Sequence, residues 1–102
     1  MKKVQFNVML TSEDRYRHEH TRLKKHILGF VIQYETKLDQ NWVPVIRYDT
    51  RHGFAHRDIM DRKGNKRKTP VFATDYNEAL TFAEYDIQSN WKVYKEAFLK
   101  GD

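Results

Sequence analysis

Apolar and polar positions alternate at the start of the chain, where Val4, Phe6, Val8 and Leu10 are interleaved with Lys3, Gln5, Asn7 and Met9. A period of two predicts a half-buried strand over residues 3–10. Residues 12–26 carry dense mixed charge and few apolar groups. Tyr16, His20, Leu23 and Ile27 make only a weak helical stripe, so helix or loop is expected there. From Ile27 to Thr36 the alternation returns, with Leu28, Phe30, Ile32 and Tyr34 on one face, and Leu38-Asp39-Gln40-Asn41 supplies turn chemistry. Trp42 to Asp49 predicts the next strand, in which Pro44, lacking an amide hydrogen, favours an edge or a strand start. Phe54 to Met60 follows, then the turn 61–65 and a short last strand from Lys66 to Val71. The Lys66-Arg67-Lys68 run suits an exposed edge.

After Phe72 the period changes. Tyr76, Leu80, Ala83, Ile87, Trp91, Tyr94 and Phe98 step by three or four, which predicts one long helix with an aromatic-rich stripe facing the core. Asp75 and Glu78 have the spacing of an N-cap and its reciprocal partner, and Gly101 suits the C-terminal end. The expected fold is α+β: an antiparallel sheet of four or five strands covered on one face by a long C-terminal helix, in a single domain over residues 1–102.

Composition narrows the chemistry. The 102 residues fit one modest core, and 39% hydrophobic against 32% charged residues marks a globular but polar chain. With no cysteine, disulfides, thiolate zinc sites and cysteine nucleophiles are excluded. No stretch approaches the roughly 20 apolar residues that cross a bilayer, and the start lacks a signal-peptide pattern, so a cytoplasmic soluble protein with no membrane partner is expected. There is neither a glycine-rich phosphate loop nor a serine elbow, and no cofactor is expected. The net charge of +5 is concentrated in residues 1–70, while 71–102 is acidic, which points to RNA or an acidic protein as partner for the basic part.

The stretch Arg47-Tyr48-Asp49-Thr50-Arg51-His52-Gly53-Phe54-Ala55-His56-Arg57-Asp58 sets ionisable groups on a hairpin that does not need them. A four-residue loop, Thr50 to Gly53, would put Asp49 opposite Phe54, Arg47 opposite His56 and Val45 opposite Asp58. Arg47, Asp49, His56 and Asp58 then emerge on one face, with His52 at the tip. Ile46, Tyr48, Ala55 and Ile59 emerge on the other, with Arg57 reaching out past its rim. An imidazole beside a carboxylate can move protons near neutrality, and an arginine can grip a phosphate through two parallel bonds. Those parts suffice to cleave RNA through its own 2′-hydroxyl without metal. The favoured expectation is therefore a ribonuclease-like toxin or RNA-processing enzyme, with His56, Asp49, Asp58, Arg47 and His52 as the catalytic set. Arg51, Arg57, Arg15 and Arg17 are expected to bind nucleic acid. One alternative is a non-enzymatic module that binds nucleic acid or an acidic protein. Another is a metal centre drawn from His18, His20, His52 and His56, joined by Asp49 or Asp58.

The motif resembles a family of small bacterial and archaeal proteins whose signature reads Arg-Tyr-Asp, His-Gly-Phe and His-Arg-Asp, here Arg47-Tyr48-Asp49, His52-Gly53-Phe54 and His56-Arg57-Asp58. The resemblance runs from about Arg15 to Phe98 and includes His18, His20, Val31 to Glu35 and Asn90-Trp91. More distantly, the hairpin is similar to the TumE-type toxins of toxin–antitoxin pairs, in which an Arg-Tyr-Asp strand precedes a glycine and a His-Arg-His triplet. That similarity implies an antitoxin protein as partner. Asp58 stands where those toxins carry the last histidine. The exposed edge near Pro44 is compatible with a homodimer.

Overall fold

In the computed structural model, which describes residues 1–101, six antiparallel strands and one helix follow in chain order. They are β1 (Lys2–Thr11), β2 (Asp14–Leu23), β3 (His26–Leu38), β4 (Asn41–Asp49), β5 (His56–Met60), β6 (Lys66–Pro70) and α1 (Tyr76–Lys100). Each strand pairs with the next, giving a meander in the order β1 to β6. The α+β class and the long helix match expectation, and the sheet has more strands than the four or five expected. The surplus is β2, in the stretch expected as helix or loop.

β2 is a strand because its neighbours complete it. Tyr16, His18 and His20 face the same side as Val8, Phe6 and Val4 of β1 and Tyr34, Ile32 and Phe30 of β3. Phe6 stacks on His18 with ring centroids 4.4 Å apart. Thr11 closes the preceding turn by accepting the Glu13 amide (3.0 Å) and donating to Asp14 (2.6 Å).

Pro44 sits opposite Glu35 at an irregularity that leaves Val45 as the extra residue. β5 pairs with β4 only from Ile46 to Asp49, so the missing amide of Pro44 falls where β4 is locally an edge. α1 starts as the sequence predicts: the Asp75 carboxylate accepts the Glu78 amide at 2.8 Å. It ends where Gly101, in the left-handed region at φ 75°, donates its amide to the Phe98 carbonyl.

The helix covers one face of the sheet at β3 and β4. Ala79 and Ala83 are small enough for close approach, and Leu80, Ile87 and Phe98 fill the space over Phe30, Ile32, Tyr34, Ile46 and Tyr48. Two buried carboxylates anchor this packing. Asp14 accepts hydrogen bonds from Tyr34 (2.7 Å), Thr36 (2.9 Å), Thr11 and Lys95 (3.1 Å). Asp86, on the buried side of α1, accepts from the Tyr48 and Tyr94 hydroxyls and from Asn90.

Burial, reinforced by these carboxylates, pushes the Tyr34 and Tyr48 phenols far above the ordinary value of 10.0 and that of Tyr94 up to about 12. Because the folded values are raised, their contribution to stability is complete below pH 10 and is lost as the pH climbs towards 12. A thermal midpoint that holds up to about pH 10 and then falls steeply is expected. A flat profile across that range would show that these hydroxyls ionise in place.

Candidate functional site

The face of the sheet turned away from α1 carries the hairpin constellation. Asp49 pairs with His56 and Arg47 with Asp58, so the connection spans Thr50 to Ala55 and not the four residues expected. Three contacts account for the longer loop. The Asp49 carboxylate accepts the Arg51 amide at 3.2 Å, which ends the strand. Gly53, at φ 85°, donates to the Thr50 carbonyl, closing a turn inside the loop. Ala55 is spent on a bond from Val71 beside β6. The register moves by two residues, and because side chains alternate with period two, Arg47, Asp49, His56 and Asp58 still share one face.

These side chains form a continuous polar chain across four strands. Arg15 Nε donates to Glu35 at 2.7 Å, and Glu35 accepts from Gln33 Nε2 at 2.6 Å. Arg47 Nη1 donates to Gln33 (3.0 Å) and its Nε to Asp49 (2.7 Å). Asp49 Oδ1 lies 2.7 Å from His56 Nε2, and His56 Nδ1 lies 3.6 Å from Asp58 Oδ1. His56 is only 2% exposed, beneath the rings of His52 and Phe54 at 5.8 and 5.5 Å. The two imidazole–carboxylate approaches are close contacts without aligned hydrogen bonds: among the described residues, neither imidazole nitrogen nor Asp58 Oδ1 has a hydrogen-bond partner. Burial alone would push the Asp49 carboxyl up, but Arg47, the Arg51 amide and the neighbouring His56 outweigh it and hold it below the ordinary carboxylate value.

A cleft of about 250 Å³ opens beside Asp49, bordered by Lys3, Glu19, Thr21, Val31 and Arg51. Gly29 lines it where a side chain would crowd the Thr50 hydroxyl, which a Cβ would meet at 3.1 Å.

The structure thus brings His56, Asp49, Asp58 and Arg47 together, with exposed His52 stacked over His56 and Arg51 on the cleft rim. Arg15 and Arg17 stand on the same face. Arg57 does not, and it does not reach past the rim. It points towards the helix, donating to the Tyr94 hydroxyl (3.0 Å) and Thr69 (3.3 Å) and lying 3.7 Å from Asp86, so it holds the core and leaves the nucleic-acid set. The four histidines of the metal alternative are divided between the two faces. His18 and His20 touch each other at 2.6 Å on the helix side, with Glu84 at 3.0 Å from His18, so no single ion takes all four. Gln33, Glu35 and Trp42 are site members that the motif did not point to. The alternation of Gln33 and Glu35 with Ile32 and Tyr34 is the signal that places them on the uncovered face.

A family model, described as a domain of unknown function (DUF7718), matches residues 1–102. The chain belongs to the DUF7718 family. No curated protein and no solved structure matches it. Within this DUF7718 chain, no helix among the described residues is long and apolar enough to cross a membrane.

Proposed function

We propose that this DUF7718 protein binds the phosphate backbone of single-stranded RNA on the uncovered sheet face. The observation that supports this reading most is the fixed row of guanidinium groups. Arg15 and Arg47 are each gripped at Nε by a buried carboxylate, Glu35 and Asp49, and Arg47 Nη1 also bonds Gln33, so both forks are held in place with donors on the Arg15 terminal nitrogens and on Arg47 Nη2 left over for a ligand. Arg17, whose side chain is 40% exposed, extends the row, and Lys3 and Lys68 flank it. An arginine held in this way loses little entropy on meeting a phosphate and matches its oxygens with two donors. Aromatic groups stand along the same surface. The Arg15 guanidinium lies 4.2 Å over the Trp42 ring, and His52 and Phe54 are exposed on the loop, so splayed bases have surfaces to stack on.

Cleavage of the bound RNA is a second reading, favoured by one feature: Asp49 borders the cleft while touching His56. His56 itself is roofed over, so Asp49 is the member of the set nearest an incoming 2′-hydroxyl, and binding has the stronger geometric support.

A labelled single-stranded RNA titrated with protein tests both. Affinity should fall with salt at a logarithmic slope of about −3.5, as expected for five phosphate contacts on a single strand. Binding that is absent at low salt, or insensitive to salt, would refute the interface. The same RNA run on a denaturing gel after incubation should be shortened if the second reading holds, and intact RNA disposes of it.

A further inference from the structure

We infer that Asp49, His56 and Asp58 form a binding site for one divalent transition-metal ion of the zinc class. Asp49 and His56 are direct cross-strand partners, and Asp58 follows His56 by two positions, so three ligand-type side chains from two strands converge on one face. One donor atom from each lies within 4.8 Å of the other two. Donors around a four-coordinate zinc ion, each bonded at about 2.0–2.1 Å, sit roughly 3.4 Å apart. His56 lies 2.7 Å from Asp49 through Nε2 and 3.6 Å from Asp58 through Nδ1; an ion bonds only one of these nitrogens, so admitting it requires the three donor atoms, now within 4.8 Å, to close around that one nitrogen.

Convergence alone would not make a site. The second observation is that all three groups are at least nine-tenths buried, at 3%, 2% and 5% exposure, while both nitrogens of His56 and Oδ1 of Asp58 have no hydrogen-bond partner among the described residues. Buried polar atoms are almost always satisfied, and exceptions on neighbouring side chains call for a water or an ion. An ion bound there would take the free pairs of Asp58 Oδ1 and one imidazole nitrogen. The outer contacts of a metal centre are already in place. Arg47 Nε holds Asp49 Oδ2 and the Arg51 amide bonds Oδ1, which fixes how that carboxylate is presented.

The donor set also selects the ion. One imidazole with two carboxylates suits a borderline first-row ion, whereas calcium seeks six to eight oxygens and magnesium keeps several waters, neither of which fits a buried trio. Three protein ligands leave a coordination position open, the arrangement of catalytic rather than structural zinc sites.

The site does not depend on the RNA reading, and the two are separable by experiment. Tag-free protein, stripped with a chelator and dialysed, is titrated calorimetrically with zinc chloride alone and with magnesium chloride alone. One zinc ion per chain is expected, with magnesium at least a hundredfold weaker. Asp58→Asn, nearly isosteric and still able to fold by circular dichroism, should weaken zinc at least tenfold, while His20→Ala should leave it unchanged. No zinc uptake by the wild type, undiminished uptake by Asp58→Asn, or loss with His20→Ala would each overturn the assignment. RNA affinity of Asp58→Asn, measured in chelator, reports on the arginine row alone. Its loss would count against the binding face without touching the metal result.

Discussion

Asp86→Ala should cost about 3–5 kcal/mol of folding stability, the expense of removing one partner from a buried charged cluster. Asp86 lies on the helix but faces the sheet. It accepts hydrogen bonds from the Tyr48 and Tyr94 hydroxyls and from Asn90, and the Arg57 guanidinium stands 3.7 Å away. Without the carboxylate, the fully buried Tyr48 hydroxyl has lost its acceptor, and a partly buried guanidinium remains with no counter-charge beside it. Each of those residual groups is costly, a buried unsatisfied hydroxyl alone about 1–3 kcal/mol. The cluster also ties α1 to β4 and β5, so the loss is felt where the helix crosses the sheet. A domain of this size has roughly 5–15 kcal/mol in hand, and such a loss would bring it near unfolding at body temperature. In urea denaturation the midpoint should fall sharply with an unchanged slope. Glu96→Ala on the exposed side of the same helix, where the side chain pairs with Lys100, should change stability by less than about 0.5 kcal/mol. A shift below about 1 kcal/mol for Asp86→Ala would show that Tyr48 and Arg57 find other partners.

Asp86 also shows where reading the sequence stops. The apolar stripe of α1 is visible as a periodicity, and eight of the ten strand boundaries expected from alternation and turn residues fall within one residue of those observed. An aspartate one position from Ile87 looks like surface until Tyr48 and Arg57, two partners from the sheet, meet it. β2 escaped detection for a related reason. Its period of two is present, Tyr16, His18 and His20 against Arg15, Arg17 and Glu19, but only tyrosine registers as apolar. His18 is buried because Phe6 stacks on it and Glu84 meets its ring, contacts 12 and 66 residues away. The hairpin register was legible to within one pleat repeat. The loop was two residues longer than expected, yet an even shift leaves every side chain on its face, so the grouping of Arg47, Asp49, His56 and Asp58 survives the correction. Arg57 marks the limit of that luck. Its face follows from alternation, but its partners do not, since Asp86 and Tyr94 belong to an element outside the hairpin motif.

Charge reversal on the uncovered face should abolish RNA binding far beyond what net charge alone would do. In the variant Lys3→Glu/Arg17→Glu/Lys68→Glu all three changes lie on that face, and none removes the close partner of a buried group. Lys3 and Lys68 are exposed, and Arg17 is 3.8 Å from a Glu35 carboxylate that Arg15 and Gln33 already hold. Each lost charge-assisted contact is worth about 1.5 kcal/mol at the low end of its range, roughly tenfold in affinity, so the triple variant should bind about a thousandfold more weakly. Lys25→Glu/Lys92→Glu/Lys100→Glu changes the net charge by the same amount at exposed positions on the loop and helix. If the face is the binding site, this control should weaken binding by about tenfold or less at physiological salt, where charges beyond roughly 8 Å are screened. Anisotropy titrations of the two variants against one RNA at one ionic strength decide the matter. Equal losses would mean that a diffuse positive field, not a row of oriented arginines, is what the RNA meets.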